Sequence, residues 1–218
     1  FRKDHFLKGR WKQDVFSNAN PITLELGCGK GEYTINLARK YPGRNFIGVD
    51  IKGARIWKGA GTANQEELLN VAFLRTRIEL INSFFSRNEV EEIWITFPDP
   101  QLKKRRNKKR LTGPRFLNQY RQFLADNESI HLKPANNVMY GYTLSLVLHN
   151  GLEVVQHTAD LYGSGIADEV LSIRTFYESQ FLEEGSRIHY IAFRLPHSAI
   201  IKEPPQDEEP GELPPESV

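Results

Sequence analysis

The chain has 218 residues, 39% of them apolar, which is enough to bury the core of one domain. Its lone cysteine, Cys28, excludes a disulfide framework and a multi-cysteine zinc site and fits a reducing compartment such as the cytoplasm, and no apolar run approaches the ~20 residues that span a bilayer. The net charge of +2 conceals an asymmetry: residues 202–218 hold one Lys and six acids, leaving 28 Lys+Arg against 21 Asp+Glu, or +7, on residues 1–201.

Taken in chain order, short apolar runs predict strands over 22–26, 45–49, 71–75, 92–97 and 129–133. Helical patterns over 31–40, 52–69, 77–86, 114–124 and 137–149 fall between and after them. Strands alternating with helices are the signature of βα units feeding a parallel sheet. Two further strands, 152–157 and 187–194, flank a helix predicted over 168–184, with Gly185 placed to cap it. The expectation is one α/β domain over 1–201, followed by a Pro- and Glu-rich tail over 202–218 whose composition does not fold on its own.

The first strand runs into Leu24-Glu25-Leu26-Gly27-Cys28-Gly29-Lys30-Gly31. Glycines there let the backbone turn tightly and let a ligand approach without a Cβ in the way. A dinucleotide fingerprint requires its third glycine one position later, where this chain has Glu32, which disfavours NAD. Gly-x-Gly-x-Gly with an acid two residues ahead suits S-adenosyl-L-methionine, which has no pyrophosphate to seat on a helix terminus. The second strand ends at Asp50, whose carboxylate can accept hydrogen bonds from the two ribose hydroxyls of a nucleoside. An Asp at a strand end is also a common helix cap; the glycine turn and Asp50 together favour the nucleoside.

The fourth strand ends in Phe97-Pro98-Asp99-Pro100, and Lys103, Lys104, Arg105, Arg106, Lys108, Lys109 and Arg110 follow at once. One carboxylate beside a dense cationic run suits an enzyme that holds a polyanion while an acid orients a base. Like charges this close repel unless a polyanion neutralises them. A second basic cluster, Arg2, Lys3, Lys8, Arg10 and Lys12, adds to the uneven distribution expected of a nucleic-acid binder. Phe176 and Tyr177 lie on the last predicted helix, where Phe176 reads as an ordinary core aromatic. His131, His149, His157, His189 and His197 lack metal-ligand spacing, so no metal is expected.

On the glycine turn, Asp50, the run from Phe97 to Leu111, and Thr175-Phe176-Tyr177-Glu178 followed by Phe181 and Gly185, residues 5–195 resemble the tRNA (guanine-N7)-methyltransferase family. The resemblance implies a Rossmann-like class I methyltransferase fold, a seven-stranded mostly parallel sheet with an antiparallel last strand and helices on both faces. It implies S-adenosyl-L-methionine as cofactor and tRNA as partner, with no membrane or metal involved. It assigns Glu25, Gly27, Gly29, Gly31, Asp50, Arg77 and Ile78 to the cofactor, Asp99 to the reaction centre, and Lys103, Thr175, Tyr177 and Glu178 to the substrate. The chain departs from the family pattern at Arg77, where Asp or Asn is common, at Gln101, where a Trp is common, and at Pro134-Ala135, where Thr-Asp is usual. Two alternatives stay open: another class I RNA methyltransferase, and an RNA-binding module with a degenerate cofactor pocket.

Overall fold

The computed structural model describes residues 3–205, apart from the side chain of Lys104. Most of the acidic tail therefore lies outside the described residues. Seven strands form one sheet in the order β3-β2-β1-β4-β5-β7-β6. They are β1 Ile22–Leu26, β2 Asn45–Asp50, β3 Val71–Arg75, β4 Val90–Thr96, β5 Leu124–Lys133, β6 Val154–Thr158 and β7 Tyr190–Leu195. The helices are α1 Glu32–Lys40, α2 Gly53–Gln65, α3 Pro114–Tyr120, α4 Asn137–His149 and α5 Phe176–Glu183. β1 to β5 pair in parallel, whereas β7 runs antiparallel between β5 and β6.

All five residues of β1 are buried, as expected of a central parallel strand covered on both faces. Register aligns Leu24 with Ile47 and Ile93, Ile93 with Ile130, and Ile130 with Phe193, which makes one apolar row across the sheet. That row belongs to the larger core. Phe46, Trp94, Tyr190 and Ala192 belong to a second core, where they pack with Tyr33 and Leu37 of α1. The strand order reverses between β1 and β4, and ligands of open α/β sheets bind beyond the carboxyl ends of the strands at such a switch point.

Four predicted helices are shorter than their patterns, among them α2, which ends at Gln65 where the pattern runs to 69. Residues 77–86 form only a 3-10 turn, Ile78–Ser83, and α3 stops at Tyr120. The stretch predicted as helix from 168 is irregular up to Thr175, because the Asp168 carboxylate accepts hydrogen bonds from the Val170 and Leu171 N–H groups at 2.9 and 2.7 Å. Such Asx turns compete with helix. Helix α5 starts only where the Thr175 side chain accepts a bond from Glu178 N–H, and Gly185 (φ 78°) closes it as expected.

The chain leaves the body in a fixed way. Asn118 exchanges two hydrogen bonds with the Ile201 backbone, and Asn150 exchanges two with Lys202. No helix among the described residues is long and apolar enough to cross a membrane.

Candidate functional site

A cavity of about 470 Å³ opens beside the switch point, and Gly27, Asp50, Arg77, Ile78 and Asp99 all border it. A smaller cavity of about 80 Å³ adjoins it through Gly27 and is lined by Glu25, Gly29, Phe97, Thr175 and Tyr177 among others. The residues predicted from β1, β2, the β3 exit, the β4 exit and the start of α5 are thus brought to one edge of the sheet.

The three glycines of the turn have positive φ angles of 82°, 55° and 75°, at Gly27, Gly29 and Gly31. Their spatial reasons differ. A Cβ on Gly31 would meet the Phe73 ring at 2.5 Å, so this glycine lets the turn pack on β3. A Cβ on Gly29 would meet nothing within 4 Å, and one on Gly27 only Leu111 at 4.0 Å. These two are required by backbone conformation and leave the space in front of the turn open.

Asp50 braces the turn. One carboxylate oxygen accepts Gly29 N–H at 3.0 Å and the other accepts Lys52 N–H at 2.8 Å, so the residue both orders the loop into α2 and faces the cavity. Ionised carboxylates have about four acceptor sites, which leaves capacity for two hydroxyl donors. Glu25 is buried behind the turn. It accepts bonds from Thr34 N–H (2.9 Å), from Thr96 Oγ1 (2.7 Å) and from the Thr34 hydroxyl. Burial pushes its carboxyl up to about 7, against the pull of those donors.

The Asp99 side is built differently. Asp99 is exposed, and one of its oxygens accepts Gln101 N–H at 2.9 Å. The backbone on either side carries positive φ at non-glycine residues, 48° at Phe97 and 52° at Gln101. Conformations of this kind cost on the order of 1–3 kcal/mol and cluster at functional sites. Arg110 holds the loop from below: buried at 7% exposure, it donates to the Pro100 carbonyl at 3.2 Å and lies 4.2 Å from the Tyr142 ring centroid. It is therefore a brace, not one of the free cations its place in the basic run suggests.

Residues 104–109 form a 3-10 turn that presents Lys109 to the larger cavity. Lys103, the predicted substrate contact, is exposed at the edge of this turn and borders neither cavity. Among the described residues, no acid pairs with Lys103, Arg105, Arg106, Lys108 or Lys109. The N-terminal cations differ: Lys8, Arg10 and Lys12 pair with Asp4, Asp14 and Glu91 at 3.1, 2.8 and 2.8 Å.

Glu178 requires a correction. It is fully buried and faces neither cavity; its carboxylate is ion-paired to the equally buried Lys133 at 2.8 Å and accepts the Tyr162 hydroxyl at 2.6 Å. Lys133 also donates to the Leu171 and Ile173 carbonyls at 2.6 and 3.1 Å. The pair fastens the irregular 160–175 stretch and α5 to the end of β5, and so holds Thr175 and Tyr177 at the smaller cavity. The core reading of Phe176 also fails, because its ring is 49% exposed. Ala135, at the position of the usual family Asp, borders a separate open cavity with Arg187 and His189.

Glu79 and Lys109 border the larger cavity although sequence reasoning did not single them out as site residues. The cationic run gave a signal for Lys109; Glu79 had none. Among the described residues, no group of three or more His, Cys, Asp or Glu could hold a metal ion.

Comparison with known proteins identifies the family and the fold. A family model described as "Putative methyltransferase" matches residues 19–191. The tRNA (guanine-N(7)-)-methyltransferase of Porphyromonas gingivalis is 56% identical over 190 residues, 87% of this chain and 77% of that protein. The enzymes of the same name from Bacteroides fragilis and Christiangramia forsetii are 52% and 54% identical, over 91% and 87% of this chain and 78% and 85% of theirs. In fold, the chain is similar to the crystal structure of the 16S rRNA methyltransferase KamB, with TM-score 0.62 and 14% identity over 89% of this chain and 95% of that one. With the sheet order, the glycine turn and the Asp99 loop in place and identities above one half to three such enzymes, the chain belongs to the tRNA (guanine-N7)-methyltransferase family.

Proposed function

We propose that this protein transfers a methyl group from S-adenosyl-L-methionine to N7 of a guanine in the variable loop of tRNA, in the cytoplasm. The observation that carries the reading is that Asp50 and Asp99, 49 residues apart in the chain, border one cavity. The part lined by Asp50 suits the cofactor, and the part lined by Asp99 suits the base.

The residues present fit the cofactor. Gly27 and Gly29 leave open space where side chains would stand, Asp50 keeps acceptor capacity for a ribose, and Ile78 offers an apolar side to a purine. When bound, S-adenosyl-L-methionine supplies an electrophilic methyl group on a sulfonium. Arg77 lacks the side-chain acceptor common in the family, so the backbone at Arg77 and Ile78 is left to meet the adenine edge. Glu25 acts from behind, holding Thr34 at the start of α1 and Thr96 at the end of β4 in fixed relation to the turn.

Guanine N7 carries a lone pair and no proton, so the reaction needs no general base. It needs aim: the nitrogen must lie roughly 3–3.5 Å from the methyl carbon and in line with the leaving sulfur. Asp99 is the residue that supplies it, by accepting hydrogen bonds from guanine N1–H and the exocyclic amine. Its charge also favours the positive charge that grows on the purine. Pro98 and Pro100 limit the conformations of that loop, which reduces the entropy lost when the base docks. Lys109, at the cavity rim, and the unpaired cations beside it receive phosphates. Thr175 and Tyr177 wall the adjoining smaller cavity, while Glu178 acts indirectly by holding them there.

The test is to incubate the protein with labelled methyl donor and bulk tRNA and to identify the modified nucleoside by mass spectrometry. 7-Methylguanosine is the expected product; label in any other nucleoside, or none, refutes the reading.

A further inference from the structure

The first turn of α5 carries a feature that the methyl-transfer reading explains only in part. Phe176 and Tyr177 are 49% and 37% exposed, although the same helix buries Glu178 and packs Phe181 and Leu182 on the second core. A solvent-facing turn would ordinarily carry polar residues, and two adjacent exposed rings mark a contact surface. Each ring also carries a cation from another element. Lys30 of the glycine turn lies 4.2 Å from the Phe176 centroid, and the Arg55 guanidinium of α2 lies 5.7 Å from that of Tyr177. Both distances are within cation–π range. Arg174, just before the helix, is exposed as well.

The nearby acid is Glu32, and its carboxylate accepts Phe176 N–H at 2.7 Å, which fixes the turn in place. The platform is therefore rigid, aromatic and ringed by cations. Arg55 and Tyr177 themselves line the smaller cavity, next to Gly27 and Phe97. Lys109, at the end of the basic run, borders the larger cavity that adjoins this one through Gly27.

We propose that Phe176 and Tyr177, with Lys30 and Arg55, form a stacking platform for an unpaired nucleotide of the RNA substrate adjacent to the target guanine. The proposal rests on the RNA-methylating function argued above and adds a second contact to it. Unstacked bases of RNA are commonly received on aromatic faces, with Lys or Arg at hand for the phosphate. Here the cations already resting on the rings would yield the ring faces to the base and turn to the backbone. The RNA strand would then run from the basic run, past Asp99, to α5. Charge excludes an acidic-poor apolar partner as the better fit: rings covered by cations suit an aromatic polyanion.

The experiment compares full-length wild type with Phe176→Ala, Phe176→Leu and Phe176→Tyr. Equilibrium binding of bulk tRNA and, separately, calorimetric binding of S-adenosyl-L-methionine are measured for each. Base–aromatic stacking predicts that Ala and Leu raise the tRNA Kd by roughly fivefold to 150-fold, that Tyr stays within about twofold, and that the cofactor Kd does not move. A Leu variant that binds tRNA as wild type does would overturn the platform, since apolar bulk would then suffice. So would a loss of cofactor affinity with tRNA affinity intact, which would assign the rings to the cofactor. Methyl transfer by the wild type is scored independently: its absence overturns the proposed function, whereas the ratio of tRNA affinities judges the platform alone.

Discussion

The two sides of the cleft are made of similar residue types and are held in opposite ways. On the glycine-turn side, Glu25 is held by Thr34 and Thr96, and each oxygen of Asp50 is held by one backbone donor, Gly29 or Lys52, with acceptor capacity to spare. On the other side, exposed Asp99 has a single backbone donor, and five cations from Lys103 to Lys109 have no acidic partner among the described residues. The lesson is that one wall is complete before any ligand arrives, whereas the other is completed by a polyanion. Preorganisation suits a small cofactor bound at every turnover; unsatisfied charge suits a large partner that brings its own countercharge.

The comparison can be broken at its hidden support. Lys133→Met leaves Glu178 buried without its partner, which should destabilise the fold by about 3–5 kcal/mol. Adding Glu178→Leu should recover part of that loss, and chemical denaturation of the three proteins checks both. Burial also holds Lys133 below the usual lysine range, although Glu178 opposes the shift.

On the exposed wall, Asp99→Ala should reduce turnover by roughly 10²–10³-fold, the scale of losing one preorganised electrostatic contact. Cofactor affinity measured by calorimetry should remain near that of wild type. Retained turnover would remove Asp99 from its assigned role.

The completed wall has a pH signature of its own. Because Glu25 titrates near 7 in the fold and near 4.5 when exposed, the native chain keeps a proton that the unfolded chain has released between those values. Stability must then fall as pH rises from about 4.5 to about 7, by about 3 kcal/mol from this one group. Glu25→Gln should lack that decline, so its stability relative to wild type should improve steadily between pH 4 and pH 8 in denaturation experiments. A constant difference would show that folding does not shift the Glu25 carboxyl.

The smallest effect is on salt dependence. Replacing Lys108 by Ala should make the slope of log K for tRNA against log salt shallower by about 0.7–0.9, the share of one phosphate contact. Lys8→Ala should leave the slope nearly unchanged, because Lys8 is already paired with Asp4. Equal effects would erase the distinction between the two basic clusters.

Much of the fold could be read in advance from local patterns. The apolar runs at 22–26 and 71–75 fall on β1 and β3 as predicted, because short apolar runs suit a sheet strand both at its buried centre, as in β1, and at its half-buried edge, as in β3. The glycine turn and Asp50 were legible for the same reason: a positive φ and a strand-end carboxylate are properties of a few adjacent residues. The stretch from 168 to 175 misled because its helical periodicity loses to the Asp168 turn, a competition that pattern alone does not weigh. Phe176, Glu178 and Arg110 were misread because a ring, a carboxylate and a guanidinium can each serve core or surface, and neighbours distant in sequence make the choice.

Sequence alone determined the order of βα units, the glycine turn, the basic run and the acid ahead of it, since each is written in residues that lie side by side. Tertiary structure decided which charges remain free. It buried Lys133 against Glu178, set Arg110 under the Asp99 loop, paired Lys8, Arg10 and Lys12 with acids, and left Lys103, Arg105, Arg106, Lys108 and Lys109 open to solvent. The physical reason is that a charge is defined by burial and by partners tens of residues away, and those are fixed only once the sheet has brought its strand ends together.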